Sequence, residues 1–473
     1  MARIIVLGAG VCGLAAGILL RRDGHEVIVL ERDADGVPAS IDEAWERWAR
    51  DGVAQFRQPH YLHSRVRIVL EETLPDVATA LAAAGAARFN PVQLMPPFIA
   101  DRLPRDGDER FETITARRPV LEQVLVQVAR AEPGLELRND VVVRELLATD
   151  YEGIPHVHGI RTEAGDELRA DLVVDATGRR SVLPRWLEAA GAAPVYEEIE
   201  DSGFIYYTRF FRSRNGAIPE FRAPLLMPVG TISLLVLPSD NSTWSVTVFV
   251  SAGDRPLKRL RVTELWTAVI AACPLHAHWL EGEPITEIRA MGGIVDRYRR
   301  FVHAGRPIAT GIAAVGDAWA CSNPSAGRGI SFGLLGVQRL CGVIREHLDH
   351  PLQFAQAWDA VTEAELTPWY RETVEEDRDR FAEIESLRNG RQPEQSPGSS
   401  SGLRRALLAA MARDPDLFRT FLATRCCLTP LREALADQNF VARITELARD
   451  SPSPPLAGPD RKQLLSLLDR AAA

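Results

Sequence analysis

The chain has 473 residues, and at roughly 150 residues per domain this length predicts two or three domains. A hydrophobic fraction of 46% and a charged fraction of 25% are typical of soluble globular proteins and exclude wholesale disorder, collagen and coiled coil. The 55 basic and 64 acidic residues give a net charge of -9 without a run of five like charges, which gives no support to nucleic-acid binding or to a polybasic membrane anchor.

The cysteines also exclude several classes of protein. There are six, without a Cys-x-x-Cys pair or a histidine at zinc-finger spacing, at positions 12, 273, 321, 341, 426 and 427. This pattern favours a reducing cytoplasm over a disulfide framework, and it predicts no metal site. Glycines interrupt the apolar run Ile4–Leu20, and no other stretch reaches roughly 18 apolar residues, so we expect neither a signal peptide nor a membrane span.

A β-α-β unit is predicted at the start of the chain. An apolar strand over Arg3–Leu7, a helix over Gly13–Arg22 and a second strand over Glu26–Leu30 enclose the sequence GAGVCG at residues 8–13. In this G-x-G-x-x-G pattern Gly8 permits the turn, Gly10 lets a pyrophosphate approach, and Gly13 allows close helix packing. Glu31 ends the second strand, where it can accept hydrogen bonds from an adenosine ribose. The pattern predicts an adenine dinucleotide site but does not separate NAD from FAD.

Predicted helices and strands alternate up to about residue 203, where the sequence changes to mostly β-type runs. Beyond residue 203, β runs separated by Gly, Pro, Asn and Ser turns predict an antiparallel sheet, and a polar helical region follows residue 348. The predicted helices are Arg65–Leu74 and Val120–Ala131, the predicted strands are Val141–Arg144, His156–Thr162, Asp171–Asp175, Phe204–Phe211, Ile232–Leu237 and Trp244–Val250, and a strand-to-helix passage spans Ile312–Leu348.

Two distal motifs carry a family resemblance. The sequence DLVVDATG at residues 171–178, and VGDA at 315–318 followed by NPSAGRGIS at 323–331, resemble motifs of the class A FAD-dependent monooxygenases typified by p-hydroxybenzoate hydroxylase. The segments GVAQFRQPH at 52–60, DATGRRS at 175–181 and DSGFIYYTRFF at 201–211 are similar to the bacterial polyketide-tailoring hydroxylases and epoxidases. The resemblance covers about the first 350 residues.

The resemblance implies an α/β fold. It has a Rossmann-like FAD-binding domain of the GR2 type, an inserted antiparallel-sheet substrate domain and a C-terminal helical region. The expected FAD-binding domain comprises residues 1–85, 116–200 and 291–350, and the substrate-binding sheet comprises 86–115 and 201–290. Residues 351–473 form the helical region, which we interpret as a packing cap, with a linker at 386–402.

The resemblance further implies a function. The expected protein is a cytoplasmic FAD-dependent monooxygenase of secondary metabolism that inserts one oxygen atom from O2 into an apolar or aromatic small molecule, as a hydroxylase or an epoxidase, by way of a flavin C4a-hydroperoxide. NAD(P)H would supply the electrons, directly or through a flavin reductase, because Thr177 stands where the aromatic hydroxylases usually carry an Asp linked with NADPH contacts.

The predicted site residues follow from the motifs. Asp317 would accept bonds from the ribityl hydroxyls, and the neighbouring Arg117 leaves open whether Arg118 is the arginine that relatives place on the cofactor. Chemistry borne by the flavin needs no catalytic side chain, and His60 and His63 are interpreted as loop residues. The predicted cofactor-binding residues are Gly8, Gly10, Gly13, Glu31, Arg32, Arg57, Arg118, Val142, Gly178, Asp317, Pro324, Gly327 and Gly329, and the predicted substrate residues are Phe204, Tyr206, Tyr207 and Phe210.

Three other functions compete with a monooxygenase. A reductase or dehydrogenase of the geranylgeranyl-reductase type would share all the motifs, and a non-catalytic flavin-binding protein would share the nucleotide end. A flavin-dependent halogenase needs a lysine in its N-terminal half, and this chain has none before Lys258.

Overall fold

The computed structural model describes residues 1–34, 36–96, 99–392, 398–449 and 457–470. The helices are α1 (Val11–Arg22), α2 (Ile41–Glu46), α3 (Ser64–Thr73), α4 (Pro75–Ala83), α5 (Arg118–Ala131), α6 (Leu183–Ala189), α7 (Thr263–Ala271), α8 (Gly329–His347), α9 (Pro351–Val361), α10 (Thr367–Arg388), α11 (Ser400–Ala410), α12 (Pro415–Arg425), α13 (Leu431–Leu435), α14 (Gln438–Arg449) and α15 (Arg461–Arg470). The strands are β1 (Arg3–Leu7), β2 (Glu26–Leu30), β3 (Ala87–Phe89), β4 (Thr113–Thr115), β5 (Leu135–Arg138), β6 (Val143–Tyr151), β7 (Ile154–Thr162), β8 (Glu167–Arg169), β9 (Leu172–Asp175), β10 (Tyr196–Asp201), β11 (Phe204–Arg212), β12 (Leu226–Val229), β13 (Ile232–Pro238), β14 (Thr243–Ser251), β15 (Glu283–Pro284), β16 (Arg289–Gly292), β17 (Val295–Arg300), β18 (Val302–His303), β19 (Arg306–Pro307), β20 (Ile312–Ala314) and β21 (Ala320–Cys321).

A five-stranded parallel sheet contains the glycine motif. Its strand order is β20-β9-β1-β2-β5, and every neighbouring pair is parallel. Residues 4–7 of β1 are at most 1% exposed, as expected for a strand covered on both faces. Helix α1 packs against α5 and α8 beside this sheet. The carboxyl ends of β1, β2 and β9 therefore meet at one edge, which is where ligands bind in open α/β sheets.

A six-stranded antiparallel sheet forms the second layer of the structure. Its order is β12-β13-β14-β11-β15, with β16 also paired to β11. One face packs against Trp266 of α7 and Leu464 of α15, and the other packs against Phe381 and Ile384 of α10. The two sheets and the C-terminal helices confirm the predicted α/β fold with an antiparallel sheet and a C-terminal helical region.

The C-terminal helices contact both parts of the molecule. Helices α11 to α14 share a core with four residues from the segment between β3 and β4, namely Val92, Met95, Ile99 and Phe111. The end of α10 is anchored because Arg388 donates to Ser251 Oγ at 3.3 Å and to the Gly253 carbonyl at 3.2 Å. Both ends of the segment predicted as a linker, 386–402, are therefore helical, and its residues 393–397 lie outside the described part of the chain. Among the helices that the structure describes, none is both long and apolar enough to cross a membrane.

Candidate cofactor site

The glycine motif forms the turn between β1 and α1. Gly8 has a φ of 93°, and a Cβ built there would lie 2.8 Å from the Ala176 carbonyl oxygen. A Cβ at Gly13 would lie 1.8 Å from the Gly8 carbonyl oxygen, so both glycines are required by the packing of the turn. Gly10 differs, because no heavy atom of the described residues comes within 4 Å of a Cβ built there. Gly10 therefore leaves open space in front of the helix.

The start of α1 faces this open space without a side-chain cap. Gly10 is the N-cap residue, with φ -84° and ψ -174°, and no side chain in the described chain accepts from the first turn. The first amide groups of a helix have no partner within the helix, and they carry the positive end of its dipole. They are free to bind an anionic group such as a pyrophosphate.

A cavity of about 240 Å³ extends from this turn across the edge of the parallel sheet. Its walls also include Arg50, Thr177, Arg179 and Asp317. The predicted cofactor residues that line it are Gly8, Gly10, Glu31, Arg32, Arg118, Val142, Gly178 and Asp317. The predicted residues that do not line it are Gly13, Arg57, Pro324, Gly327 and Gly329.

Glu31 directly follows β2, and its carboxylate already accepts hydrogen bonds from the chain itself. It accepts from the Ala9 amide at 2.8 Å, from the Asp33 amide at 3.0 Å and from Arg50 Nη2 at 2.8 Å. A carboxylate has about four acceptor positions, so these three donors in the described chain leave one for a ribose hydroxyl. The arrangement orients Glu31 for the role predicted from its position.

Arg50 is a site residue that sequence reasoning missed. Its side chain is 4% exposed, and it forms salt bridges with Glu31 at 2.8 Å, with Asp33 at 2.8 Å and with Glu122 at 2.9 Å. Burial acts to lower the pKa of Arg50, but the negative charges of Glu122, Glu31 and Asp33 act more strongly in the other direction. The net result is a raised pKa, so Arg50 keeps its positive charge. The partners come from separate segments of the chain, so no local spacing indicates this arginine.

The structure separates the two arginines at the start of α5. Arg118 lines the cavity and donates to Glu122 at 2.6 Å. Arg117 points away, is 2% exposed, and donates from Nη2 to Asp240 at 2.6 Å in the β13–β14 turn. Its guanidinium also lies 4.5 Å from the centre of the Trp45 ring. The sequence left open which of the two arginines faces the cofactor site. In the structure Arg118 lines the cavity and Arg117 is buried away from it.

The turn after β9 is held by a buried carboxylate. Asp175 is fully buried and accepts from the Thr177 amide at 2.9 Å, from the Thr177 hydroxyl at 2.6 Å and from the Ser181 hydroxyl at 2.5 Å. Gly178 has a φ of 78° and lies in the cavity wall. Thr177, which stands where the aromatic hydroxylases usually carry an Asp, therefore helps to hold this turn through its two hydrogen bonds to Asp175.

Asp317 follows β20 and lies in the cavity wall. Burial raises the pKa of Asp317, and the positive charges of Arg118 and Arg179 oppose that rise. A Cβ built on Gly329 would lie 3.9 Å from Asp317 Oδ1, so the start of α8 is next to this carboxylate even though Gly329 is outside the cavity wall.

The loop from Asn323 to Gly327 is held from several directions. Tyr206 donates its hydroxyl to Asn323 Oδ1 at 2.8 Å, and His63 Nε2 contacts the Ala326 carbonyl at 2.8 Å. Gly327 has a φ of 69°, which favours glycine at this position. Burial lowers the pKa of His63 to about 3, so the ring is neutral and donates from Nε2.

The predicted substrate residues do not share one face of β11. Phe204 and Tyr206 lie on the face toward α10, where the Tyr206 ring stacks on Phe249 at 5.0 Å. Phe210, also an even-numbered residue of β11, contacts the Trp45 ring at 4.9 Å. Tyr207 lies in the opposite core with Trp266, which corrects its assignment to the same set, because successive side chains of a strand point to opposite faces.

Arg57 and His60 have local partners in the loop before α3. Arg57 donates to the Trp45 carbonyl at 2.7 Å and to the Trp48 carbonyl at 3.0 Å, which places it in the loop rather than in the cavity. His60 Nδ1 contacts the Gln58 carbonyl at 2.9 Å. Burial and the charge of Arg118 lower the pKa of His60 to about 3.

Comparisons with known proteins agree with this geometry. The family described as FAD binding domain matches residues 3–199. Protein Rv3254 of Mycobacterium tuberculosis is 28% identical over 348 residues, which is 69% of each chain. The structure of OxyS anhydrotetracycline hydroxylase from Streptomyces rimosus is 18% identical, covers 90% of this chain and 76% of that chain, and has a TM-score of 0.57. The structure of the flavin-dependent brominase Bmp2 is 17% identical, covers 95% and 99% of the two chains, and has a TM-score of 0.60.

At these identities the solved structures show the fold, while the domain match shows the cofactor. The chain therefore contains an FAD-binding domain over residues 3–199, and its fold is similar to the folds of the hydroxylase and the brominase.

Proposed function

We propose that this protein is a monooxygenase of secondary metabolism that inserts one oxygen atom from O2 into an apolar or aromatic small molecule, by hydroxylation or epoxidation. One observation carries the proposal. The loop that follows Asp317 in the chain is hydrogen bonded to an aromatic sheet face, because Tyr206 donates to Asn323 Oδ1 at 2.8 Å. A dinucleotide cavity and an apolar surface are thereby joined by a single loop.

The residues present fit FAD. Gly10 leaves space where a pyrophosphate would approach the helix amides, and Glu31 retains one acceptor position for a ribose hydroxyl. The Asp317 carboxylate in the cavity wall would accept hydrogen bonds from the ribityl hydroxyls. When FAD is bound, its ring supplies the redox chemistry with O2 that amino-acid side chains lack.

The protein contributes a dry, apolar surface. Phe204, Tyr206, Phe210 and Phe249 are each at most 3% exposed. These side chains are packed against α10 and Trp45, so they exclude water from the sheet side of the loop at Asn323. His60 and His63 are neutral because burial lowers the pKa of each ring to about 3, so neither is suited to act as a base near neutral pH. This favours a substrate that needs no deprotonation, such as an alkene or an electron-rich aromatic ring.

The electrons are proposed to come from NAD(P)H, directly or through a partner flavin reductase. Thr177 supports a partner reductase, because it replaces the carboxylate that relatives link with NADPH and is instead bonded to Asp175. The rate of flavin reduction by NADH or NADPH, measured by stopped-flow absorbance with and without a flavin reductase, separates the two routes.

Two alternative functions predict different products. The fold similarity to a brominase brings a halogenase back into consideration, but the chain still has no lysine before Lys258. A reductase of the geranylgeranyl-reductase type would add hydrogen across an alkene and leave O2 unused.

Incubation with ¹⁸O2 tests the proposal. The purified protein, FAD, NADPH and a flavin reductase are mixed with a panel of polycyclic aromatic and polyene probes that includes anhydrotetracycline, and the products are analysed by mass spectrometry. We expect one ¹⁸O atom in the product of at least one probe. Saturated products with no label would identify a reductase instead, and release of FAD without turnover of any probe would identify a non-catalytic flavoprotein.

A further inference from the structure

A buried polar cluster lies outside the cavity, between the antiparallel sheet and α10. We call it the Asn323 cluster, and its members are Tyr206, Asp296, Asn323, Ser325 and Asp377. Asn323 is 1% exposed, Asp296 is 2% exposed and Asp377 is 6% exposed. The cluster brings β11, β17, α10 and the loop after β21 to one point.

Asp377 is the largest contributor of bonds from α10 to this loop. Its Oδ2 accepts from Asn323 Nδ2 at 3.1 Å, and its Oδ1 accepts from Ser325 Oγ at 2.5 Å. Asp296 accepts from the Asn323 amide at 2.5 Å, and Tyr206 donates to Asn323 Oδ1 at 2.8 Å. Every polar atom of the Asn323 side chain and its amide nitrogen is therefore used to fix the loop.

The two carboxylates of the Asn323 cluster have no cation within ion-pair distance in the described chain. Burial raises the pKa of Asp377 to about 7, where the hydrogen bonds from Ser325 and Asn323 act against the rise. Burial likewise raises the pKa of Asp296 to about 6. The other ionisable groups facing Asp377 are Tyr206, from β11, and Glu376, from α10 itself.

Glu376 does not compensate the charge of Asp377. Its carboxylate is held by Arg425 at 2.9 Å and by Arg328 at 3.3 Å. Burial acts to raise the pKa of Glu376, but Arg328, Arg425 and Arg404 outweigh it and lower the value to about 2. Glu376 therefore keeps its charge across the neutral range, while Asp377 changes its charge there.

We propose that Asp377 is a positioning residue of the cofactor site, which holds the loop from Asn323 to Ala326 in the conformation that binds FAD. The inference rests on the proposed function in one respect, namely that the flavin ring lies beside this loop. It also gives the C-terminal helical region a part in the site, beyond the packing role that its sequence indicates.

The hydrogen-bond chemistry predicts different effects for two substitutions. Asp377→Ala leaves Asn323 Nδ2 and Ser325 Oγ as buried donors without acceptors, and we expect the Kd for FAD to rise at least about tenfold. In Asp377→Asn the amide oxygen can accept from Asn323 and the amide nitrogen can donate to Ser325, so we expect a Kd within about threefold of wild type. The matched control is Asp379→Asn, because Asp379 is on the same helix but pairs with Arg404 at 2.6 Å.

The pH dependence separates positioning from a merely structural role. In wild type, ionisation of Asp377 adds a negative charge beside the loop, so we expect the absorbance spectrum of bound FAD to shift with a midpoint near pH 7. Asp377→Asn cannot ionise and loses this step, whereas Asp379→Asn keeps it. Asp296→Asn removes only a second step at lower pH, because the pKa of Asp296 is about 6.

The experiment measures FAD binding by fluorescence quenching, and the spectrum from pH 5 to 9, on the full chain without substrate. A wild-type Kd in Asp377→Ala, or a step near pH 7 that survives in Asp377→Asn, overturns the proposal. If Asp377→Ala does not fold, the pH titration of Asp377→Asn decides alone. Neither readout involves oxygen insertion, so a failure of the proposed function would be seen separately in the ¹⁸O2 experiment.

Discussion

Substitutions at Gly10 and Gly13 are expected to separate cofactor binding from folding. A valine at Gly10 meets no described heavy atom within 4 Å of its Cβ, whereas an alanine at Gly13 would place its Cβ 1.8 Å from the Gly8 carbonyl oxygen. Gly10→Val should therefore fold normally and fail to bind FAD. Gly13→Ala should destabilise the protein before FAD is added.

The magnitudes follow from the same distances. Gly10 already has an extended backbone, which valine adopts readily, and we expect the free energy of unfolding of the apoprotein to change by less than about 1 kcal/mol. The isopropyl group would fill the space before the helix amides and remove one or two charge-assisted hydrogen bonds of about 1.5–3 kcal/mol each, so the Kd for FAD should rise at least about tenfold. A contact at 1.8 Å cannot be relieved without moving α1 from β1, and overpacking of this kind costs about 1–3 kcal/mol or more.

Urea unfolding of the apoprotein and titration with FAD, followed by fluorescence quenching, measure the two quantities. Gly10→Ala is the intermediate control, since a single methyl group fills less of the space. Normal FAD binding by Gly10→Val would refute the placement of the pyrophosphate at the start of α1. Equal loss of stability in Gly10→Val and Gly13→Ala would show that Gly10 is also a packing residue.

Substitutions at four further residues probe other parts of the site. Asp317→Ala should raise the Kd for FAD by about 10-fold or more, whereas Asp349→Ala, at an exposed position, should leave it unchanged. Equal Kd values for the two variants in equilibrium dialysis would contradict the assignment of Asp317 to the cofactor site. Arg50→Met should lower the free energy of unfolding by about 3–5 kcal/mol, because Glu31 and Glu122 lose a buried partner. Urea unfolding measures this change, and a value below about 1 kcal/mol would show that the carboxylates pair with another cation. His60→Gln and His63→Gln should leave the pH profile of oxygen transfer between pH 6 and 9 unchanged, since burial lowers both pKa values to about 3; loss of an ionisation from that profile in stopped-flow measurements would identify a histidine base.

The sequence predicted the parts of the site that rest on local patterns. Strands β1 and β2 have the predicted bounds, because short apolar runs between turn residues indicate buried parallel strands wherever they occur. The glycine motif predicted an adenine dinucleotide site, and the match to an FAD-binding domain over residues 3–199 agrees with it. Gly8 and Gly13 are needed by the packing of the turn itself, which is why a local pattern indicates them. Helix α5 begins at Arg118, two residues before its predicted start, since Pro119 occupies its first turn and the apolar periodicity alone does not reveal that position.

The residues that sequence reasoning missed are those with partners from distant segments. Arg50 contacts carboxylates on β2 and α5, and Asp377 contacts a loop about 50 residues earlier in the chain. Neither residue belongs to a motif or a periodic pattern. Their importance depends on burial and on which donors and acceptors the folded chain brings together.

The sequence by itself determined the β-α-β unit with its dinucleotide turn and the order of the motifs along the chain, because strand periodicity and glycine turns act over a few residues. The family resemblance of the distal motifs implied the cofactor and the class of fold. Only the tertiary structure decided which face of β11 meets the loop at Asn323, and which of Arg117 and Arg118 lines the cavity. The alternation along a strand shows that successive side chains point to opposite faces of the sheet. It does not show which of the two faces is packed against a given neighbour. That choice is made by the neighbouring elements, and here α10 covers the face that carries Tyr206 while α7 covers the face that carries Tyr207.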